Sequence, residues 1–217
     1  MDKLKLILAA LLITAVVAAA AIWYTMPIEK AYHDGNAAMN KGNYSDAAKN
    51  YEQAAKKGDV RAMTELGRLF LKGEGVPKDE EEGVSWLRKA AGKDHAQAQL
   101  MLAGCYDEGI GVKQDQKQAT KWLRKAAEQG DTEAQNMLGV RYHTGIGVFR
   151  RDDKQAAFWI RKAAGQGHPA AQYNLGCLYE DGKGVEKDLT EAVNWYRKAA
   201  EQGEDAAKDA LRELEQE

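Results

Sequence analysis

Between Arg61 and Gly203 the apolar and polar positions follow one pattern, written four times. Small and apolar residues stand four apart at Ala62 and Leu66, Ala98 and Leu102, Ala134 and Leu138, and Ala171 and Leu175. A ring follows four residues later: Phe70, Tyr106, Tyr142 and Tyr179. Spacing of four puts these side chains in one stripe along a helix, so each copy opens with an amphipathic helix. The residue after each leucine is small (Gly67, Ala103, Gly139, Gly176), which lets a second helix approach closely. A Gly-x-Gly-Val loop comes next, then a second helix ending in Trp-x-Arg-Lys-Ala-Ala with tryptophans Trp86, Trp122, Trp159 and Trp195. The second loop glycines, Gly75, Gly111, Gly147 and Gly184, are 36, 36 and 37 residues apart. A fixed period of this size predicts a solenoid, in which each unit buries its apolar face against its neighbours.

Details of each copy support a helical hairpin. The loop needs the backbone freedom of glycine, and its valine returns to the core. Asp79, Asp115, Asp152 and Asp188 stand where a second helix begins, as N-caps facing the helix dipole. The extra residue of the third copy falls within Val148-Phe149-Arg150-Arg151, a loop that tolerates insertion. A tryptophan recurring at one place in every copy reads as core, and burying each contributes roughly 2–3 kcal/mol.

Three segments flank the four copies. Residues 27–60 form a shorter hairpin turning at Lys41-Gly42-Asn43, and its Gly35, Ala47, Tyr51 and Ala54 resemble the tetratricopeptide pattern. Residues 204–217 carry Ala207 and Leu211 in stripe positions but no further partner helix, so they cap the stack. Residues 1–26 hold an apolar run from Leu6 to Tyr24, broken only by Thr14. As a helix this run spans about 28 Å, close to the thickness of a bilayer core. It reads either as a transmembrane anchor or as a cleaved signal peptide. In both cases Lys3 and Lys5 stay in the cytoplasm and everything after Met26 is exported. The expected organisation is therefore 1–26, 27–60, repeats at 61–94, 95–130, 131–167 and 168–203, and 204–217. The expected location is the inner membrane with the repeats in the periplasm, or the periplasm or medium after cleavage.

Composition narrows the chemistry. The formal charge is −2 with acids and bases interspersed, which does not suggest a nucleic-acid partner. Cys105 and Cys177 lie two units apart, about 20 Å at the spacing of packed helices, beyond the roughly 7 Å a disulfide allows. Two free, mostly buried thiols are expected. His33, His95, His143 and His168 are scattered, without His-x-x-x-His or Cys-x-x-Cys, so no metal is expected. Ser45 and Ser85 begin no Ser-x-x-Lys and lie in no Gly-x-Ser-x-Gly, and no Gly-Lys-Ser/Thr follows the glycine loops. The chain is thus expected to be non-catalytic and to carry no cofactor.

The combination Ala-x-x-x-Leu-Gly, Gly-x-Gly-Val and Trp-x-Arg-Lys-Ala-Ala over residues 61–203 resembles the Sel-one-like repeat family of the tetratricopeptide superfamily. Ala103 in place of the small glycine and Gly83 in place of the usual alanine are departures from the family pattern. The resemblance implies an all-α fold, a right-handed α-solenoid of antiparallel helix pairs, preceded here by the N-terminal hydrophobic helix. It also implies that the first helices line a concave face binding another protein or peptide. Positions six and three before, and one and four after, the small residue supply the candidate contacts. These are Tyr32, Asn36, Arg61, Thr64, Arg68, Leu71, Gln97, Leu100, Asp107, Glu133, Asn136, His143, Tyr173 and Glu180. The family roles open to such a chain are regulator, organiser of an envelope complex, or immunity protein. Some cysteine-rich relatives have been labelled β-lactamases, which makes a hydrolase of β-lactam or cell-wall substrates the alternative. The serine motif and paired cysteines that would support it are missing here.

Overall fold

The computed structural model describes residues 27–147 and 150–215, and the apolar run from Leu6 to Tyr24 lies outside them. Among the described residues every regular element is a helix. None is long and apolar enough to cross a membrane. Residues 27–40 form α1. There follow α2 (Tyr44–Lys56), α3 (Val60–Lys72), α4 (Glu80–Ala91), α5 (Ala96–Glu108) and α6 (Gln116–Glu128). Then come α7 (Thr132–Thr144), α8 (Asp153–Gly165), α9 (Pro169–Asp181), α10 (Leu189–Glu201) and α11 (Asp205–Leu214). Two compact units are divided between Ala90 and Ala91.

In the first unit α1 and α2 close on the Lys41-Gly42-Asn43 turn, and α2 packs on α3. Gly35 faces the Tyr51 ring so closely that a Cβ there would sit 2.6 Å from it. On α3, a Cβ at Gly67 would lie 2.9 Å from the Gly83 carbonyl oxygen of α4. The small position therefore does what its spacing suggests: it brings the two helices of a hairpin together. Leu87 lies against the same point, and Ala62, Leu66 and Leu69 of α3 are buried as well.

The second unit repeats this arrangement in α5–α6, α7–α8 and α9–α10, each hairpin packing on the next. Its core passes from Leu102, Leu123 and Leu138 to Ile160, Leu175 and Tyr196. At the end, Ala207 of α11 is buried beside Tyr196, with Leu211 and Leu214 packed on the same cluster, so α11 caps the stack. Val185 of the last loop turns into the core as expected. The four loop aspartates are N-caps, accepting amide protons at Glu82, Gln118, Gln155 and Glu191 at 2.9–3.0 Å. Trp86 and Trp159 are buried, while Trp122 and Trp195 are half-buried. A lysine one turn on lies over each of these rings, from 3.8 Å at Trp86 to 5.0 Å at Trp159, so the indoles carry a cationic outer lid. Neither cysteine is in a disulfide; Cys105 is buried and Cys177 half-buried.

A buried amide relay joins the hairpins of the second unit. Gln135 of α7 donates to the Ala127 carbonyl at the end of α6 and accepts from Gln166 at the end of α8, at 3.0 and 2.8 Å. Gln172 and Gln202 repeat this pair one hairpin later, with Gln172 donating to the Ala164 carbonyl. Gln99 begins it by donating to Ala91 and accepting from Gln129. Each amide gives a second donor to a helix-end carbonyl that already accepts the turn amide of Asp94, Gly130 or Gly167, and so adds a side-chain tie between hairpins.

Candidate functional site

The candidate contacts lie on the first helices of the hairpins, α1 and α3 in one unit and α5, α7 and α9 in the other. Most are half-buried, Gln97 and Glu133 are exposed, and Thr64 and Asn136 are buried. In the first unit the set is largely engaged with itself. Arg61 lies 4.3 Å over the Tyr32 ring and pairs with Asp59 at 2.7 Å and Glu29 at 3.0 Å. Burial alone would raise the Asp59 carboxyl. The Arg61 side chain and the Ala62 amide outweigh that and hold it below the usual range. Arg68 pairs with Glu65 and Glu74, Asn36 accepts the Tyr51 hydroxyl at 2.7 Å, and Leu71 packs against Gly83. Thr64 is turned inward, its hydroxyl donating to the Val60 carbonyl at 2.8 Å, so it is not available at the surface.

In the second unit some of these positions reach the next repeat and others hold their own hairpin together. Asp107 of α5 accepts from Arg141 of α7, whose other nitrogen reaches Gln116 and Thr120 at 3.0 and 3.1 Å. The side-chain amide oxygen of Asn136 accepts from the Asn174 amide of α9 at 2.9 Å. Glu133 meets His168 at 2.8 Å, and His143 meets Asp153 at 2.7 Å. Leu100 packs against the cluster formed by α5, α6 and α7. Tyr173 stacks on Tyr196 with centroids 5.6 Å apart, and Glu180 accepts the Tyr196 hydroxyl at 2.6 Å. Asp107, Glu133 and Asn136 therefore tie one repeat to the next, a use that their spacing did not suggest.

Apolar side chains also remain open to a partner around α7. Val140 is 38 % exposed and Ile146 is 52 % exposed. They border a hollow of about 240 Å³ with Asn136, Met137, Arg141 and Thr144. A second hollow of about 170 Å³ is lined by Val140, His143, Asn174, Cys177 and Asp181, so Val140 forms the ridge between the two. Met137 and Ile146 escape a reading confined to four positions per helix. Ile146 stands in the middle of Gly-x-Gly, as Ile110 does between Gly109 and Gly111, whereas Gly73–Gly75 and Gly182–Gly184 enclose Glu74 and Lys183.

The surface is suited to recognition by shape and hydrogen bonds. Among the described residues there is no group of three or more His, Cys, Asp or Glu that could hold a metal ion. The Cys177 sulfur lies 3.3 Å from the Tyr196 hydroxyl oxygen.

Comparison with known proteins agrees with this architecture. The family model described as Sel1 repeat matches five times, at residues 30–59, 60–95, 96–131, 132–168 and 169–204. The first of these takes in the short α1–α2 hairpin, read from the sequence as tetratricopeptide-like, beside the four copies found from the period. None of the curated proteins matches. Among solved structures, the chain is similar to a protective antigen of uropathogenic Escherichia coli displaying an SLR fold, at 36% identity and a TM-score of 0.81. That likeness covers 85% of this chain and 40% of the antigen, so the chain spans less than half of that protein. A Sel1 repeat protein from Oxalobacter formigenes is 34% identical over 83% of this chain and 72% of its own, with a TM-score of 0.78. An immunity protein from Pseudomonas aeruginosa shares the fold at 24% identity and a TM-score of 0.54, over 83% of this chain and 67% of its own.

Proposed function

Because the chain belongs to the Sel1 repeat family, we propose that it is a non-catalytic scaffold that captures one protein partner on the wall formed by α7 and α9. The observation that carries this reading is the exposed ridge of Val140 between two hollows, with Ile146 beside it. Apolar side chains left open on a wall otherwise knitted by polar contacts favour a partner that covers them. The apolar run from Leu6 to Tyr24 supports a place in the bacterial envelope, at the inner membrane with the repeats outside it, or free after cleavage. Regulating a membrane protein, organising an envelope complex and neutralising a toxin are all compatible with such a wall. The immunity role has a counterpart among proteins that share the fold.

The test is capture of partners from an envelope extract by the full chain and by a Val140→Asp/Ile146→Asp variant. Both side chains are exposed, so helicity and melting temperature should stay unchanged while the captured protein is lost. Unaltered capture would remove the α7–α9 wall from the account. Arg61 and Arg68 serve this test poorly, because reversing them also breaks internal ion pairs.

A further inference from the structure

A second surface lies between the second helices α6 and α8, bounded by Tyr142, Gly147 and Arg150. It is a hollow of about 640 Å³, and Lys117, Lys121, Arg124, Lys125 and Arg150 all line it. Among the described residues none of these five cations is ion-paired, although neighbouring Arg151 is held by Asp153 at 2.9 Å. The one acid in the lining, Asp152, is occupied as the N-cap of α8. Five like charges around a concavity repel one another unless an anion joins them.

The concentration belongs to this place and not to the repeat in general. Arg124 and Lys125 recur in every long copy, but Lys117 and Lys121 do not. The matching pairs elsewhere are Glu81 and Ser85, Lys154 and Phe158, and Thr190 and Asn194. Arg150 comes from the stretch that holds the extra residue of the third copy. The chain carries a formal charge of −2, so the hollow is a local inversion of its balance.

The spacing selects the kind of anion. Lys117, Lys121 and Lys125 follow one another at every fourth residue, about 6 Å apart along the helix. In an extended chain the side chains of one face recur about every 6.6–6.8 Å, and flexible lysine stems absorb the small mismatch. A single phosphate could meet only part of such a row, and a bilayer would meet the rim of the hollow rather than its floor. We propose that the hollow between α6 and α8 binds an extended acidic segment of a protein partner, with Asp or Glu at alternate positions. Tyr142, beneath the Arg124 guanidinium at 5.6 Å, offers the uncharged residues between them an aromatic surface. This goes beyond capture on the α7–α9 wall and does not depend on it.

Fluorescence anisotropy on the full chain tests the proposal with a labelled peptide carrying aspartate at alternate positions. Binding is expected at low salt and should weaken as salt rises. Lys117→Glu/Lys121→Glu should weaken it by about tenfold or more. A Lys187→Glu/Arg197→Glu variant of the same charge change, and the Val140→Asp/Ile146→Asp variant, should bind as the parent does. The peptide with asparagine for aspartate should not bind, and the one with its aspartates in a single run should bind less tightly. Absence of binding to the parent chain, binding indifferent to Lys117→Glu/Lys121→Glu, or equal binding of both aspartate peptides would overturn the proposal. So would displacement of the peptide by inorganic phosphate or by phosphatidylglycerol vesicles at matched charge. Circular dichroism checks that each variant is folded.

Discussion

The first hairpin, α1–α2, and the last, α9–α10, use the same knob in different settings. Each sets a tyrosine of its second helix against a glycine of its first, Tyr51 on Gly35 and Tyr196 on Gly176, with 2.6 and 2.5 Å left for a Cβ. Each stacks a first-helix tyrosine on that ring, Tyr32 at 5.9 Å and Tyr173 at 5.6 Å. The hairpins between them carry Leu87, Leu123 and Ile160 at that place. What differs is the acceptor at the phenol tip. Tyr51 donates to the neutral amide of Asn36, whereas Tyr196 donates to the Glu180 carboxylate. Burial, followed by the charge of Glu65, pushes the Tyr51 phenol up to about 12. Burial and the hydrogen bonds to Cys177 and Glu180 push Tyr196 higher still. The turns differ as well: three residues link α1 to α2, while the α9–α10 loop is laid against the start of the hairpin before it. Wall residues that look alike from the sequence can therefore be part of a core, and the acceptor decides how tightly.

The turns offer the sharpest way to break this comparison. Gly42 and Gly184 both adopt a φ of 72°, but a Cβ at Gly42 meets nothing, whereas one at Gly184 runs into the Asp153 backbone. Gly42→Ala should cost about 1 kcal/mol for its left-handed backbone. Gly184→Ala should cost about 3 kcal/mol or more, because the clash adds to that strain. Equal shifts in denaturant midpoint would show that the Gly184 contact contributes nothing. Next come the phenols: Tyr196→Phe should cost about 2 kcal/mol and Tyr51→Phe about 1 kcal/mol, since a bond to a charged acceptor is the stronger. Losses of the same size would erase the distinction between the two acceptors.

The same phenols give a pH dependence. Both are raised above the ordinary tyrosine value of 10.0, so the unfolded chain releases these protons first. Their contribution is intact below pH 10 and is lost as pH rises through the folded values. Alkaline denaturation should therefore be less steep for either phenylalanine variant, more so for Tyr196→Phe. The smallest effect is expected at the helix starts. Asp188 caps α10 with a 3.0 Å bond to the Glu191 amide, and Asn43 caps α2 with a longer 3.3 Å bond to Asp46. Asp188→Ala should cost about 1 kcal/mol and Asn43→Ala about 0.5 kcal/mol in thermal melts, the charge at the helix dipole making the difference.

The hairpins, their small contacts, the caps and the terminal helix were legible because each depends on local spacing. The 36-residue period shows where Leu138 and Tyr142 point, and an aspartate four residues before Ala156 announces a helix start. The glutamine relay was not legible. Gln99, Gln135 and Gln172 sit one residue from the buried stripe, and hydropathy counts a buried amide as surface. Arg141 was missed for a related reason: it is buried only because Asp107, from the preceding repeat, neutralises it. Of the candidate wall, Gln97 and Glu133 are exposed, Thr64 is turned inward, and Asn136 is mostly buried at the edge of a hollow. A residue's distance from a marker fixes its side of a helix and leaves open which neighbour claims it.

The second loop glycine has an order built into it. Gly75 rests against the backbone at Tyr44, Gly147 against α6, and Gly184 against the backbone at Asp153, so each of these loops is seated on the hairpin made before it. A chain emerging amino end first always finds that seat ready. Trimming from the carboxyl end takes a loop away together with its own hairpin, whereas trimming from the amino end leaves the next loop hanging over nothing. Shortened forms should accordingly survive loss of their tail better than loss of their head.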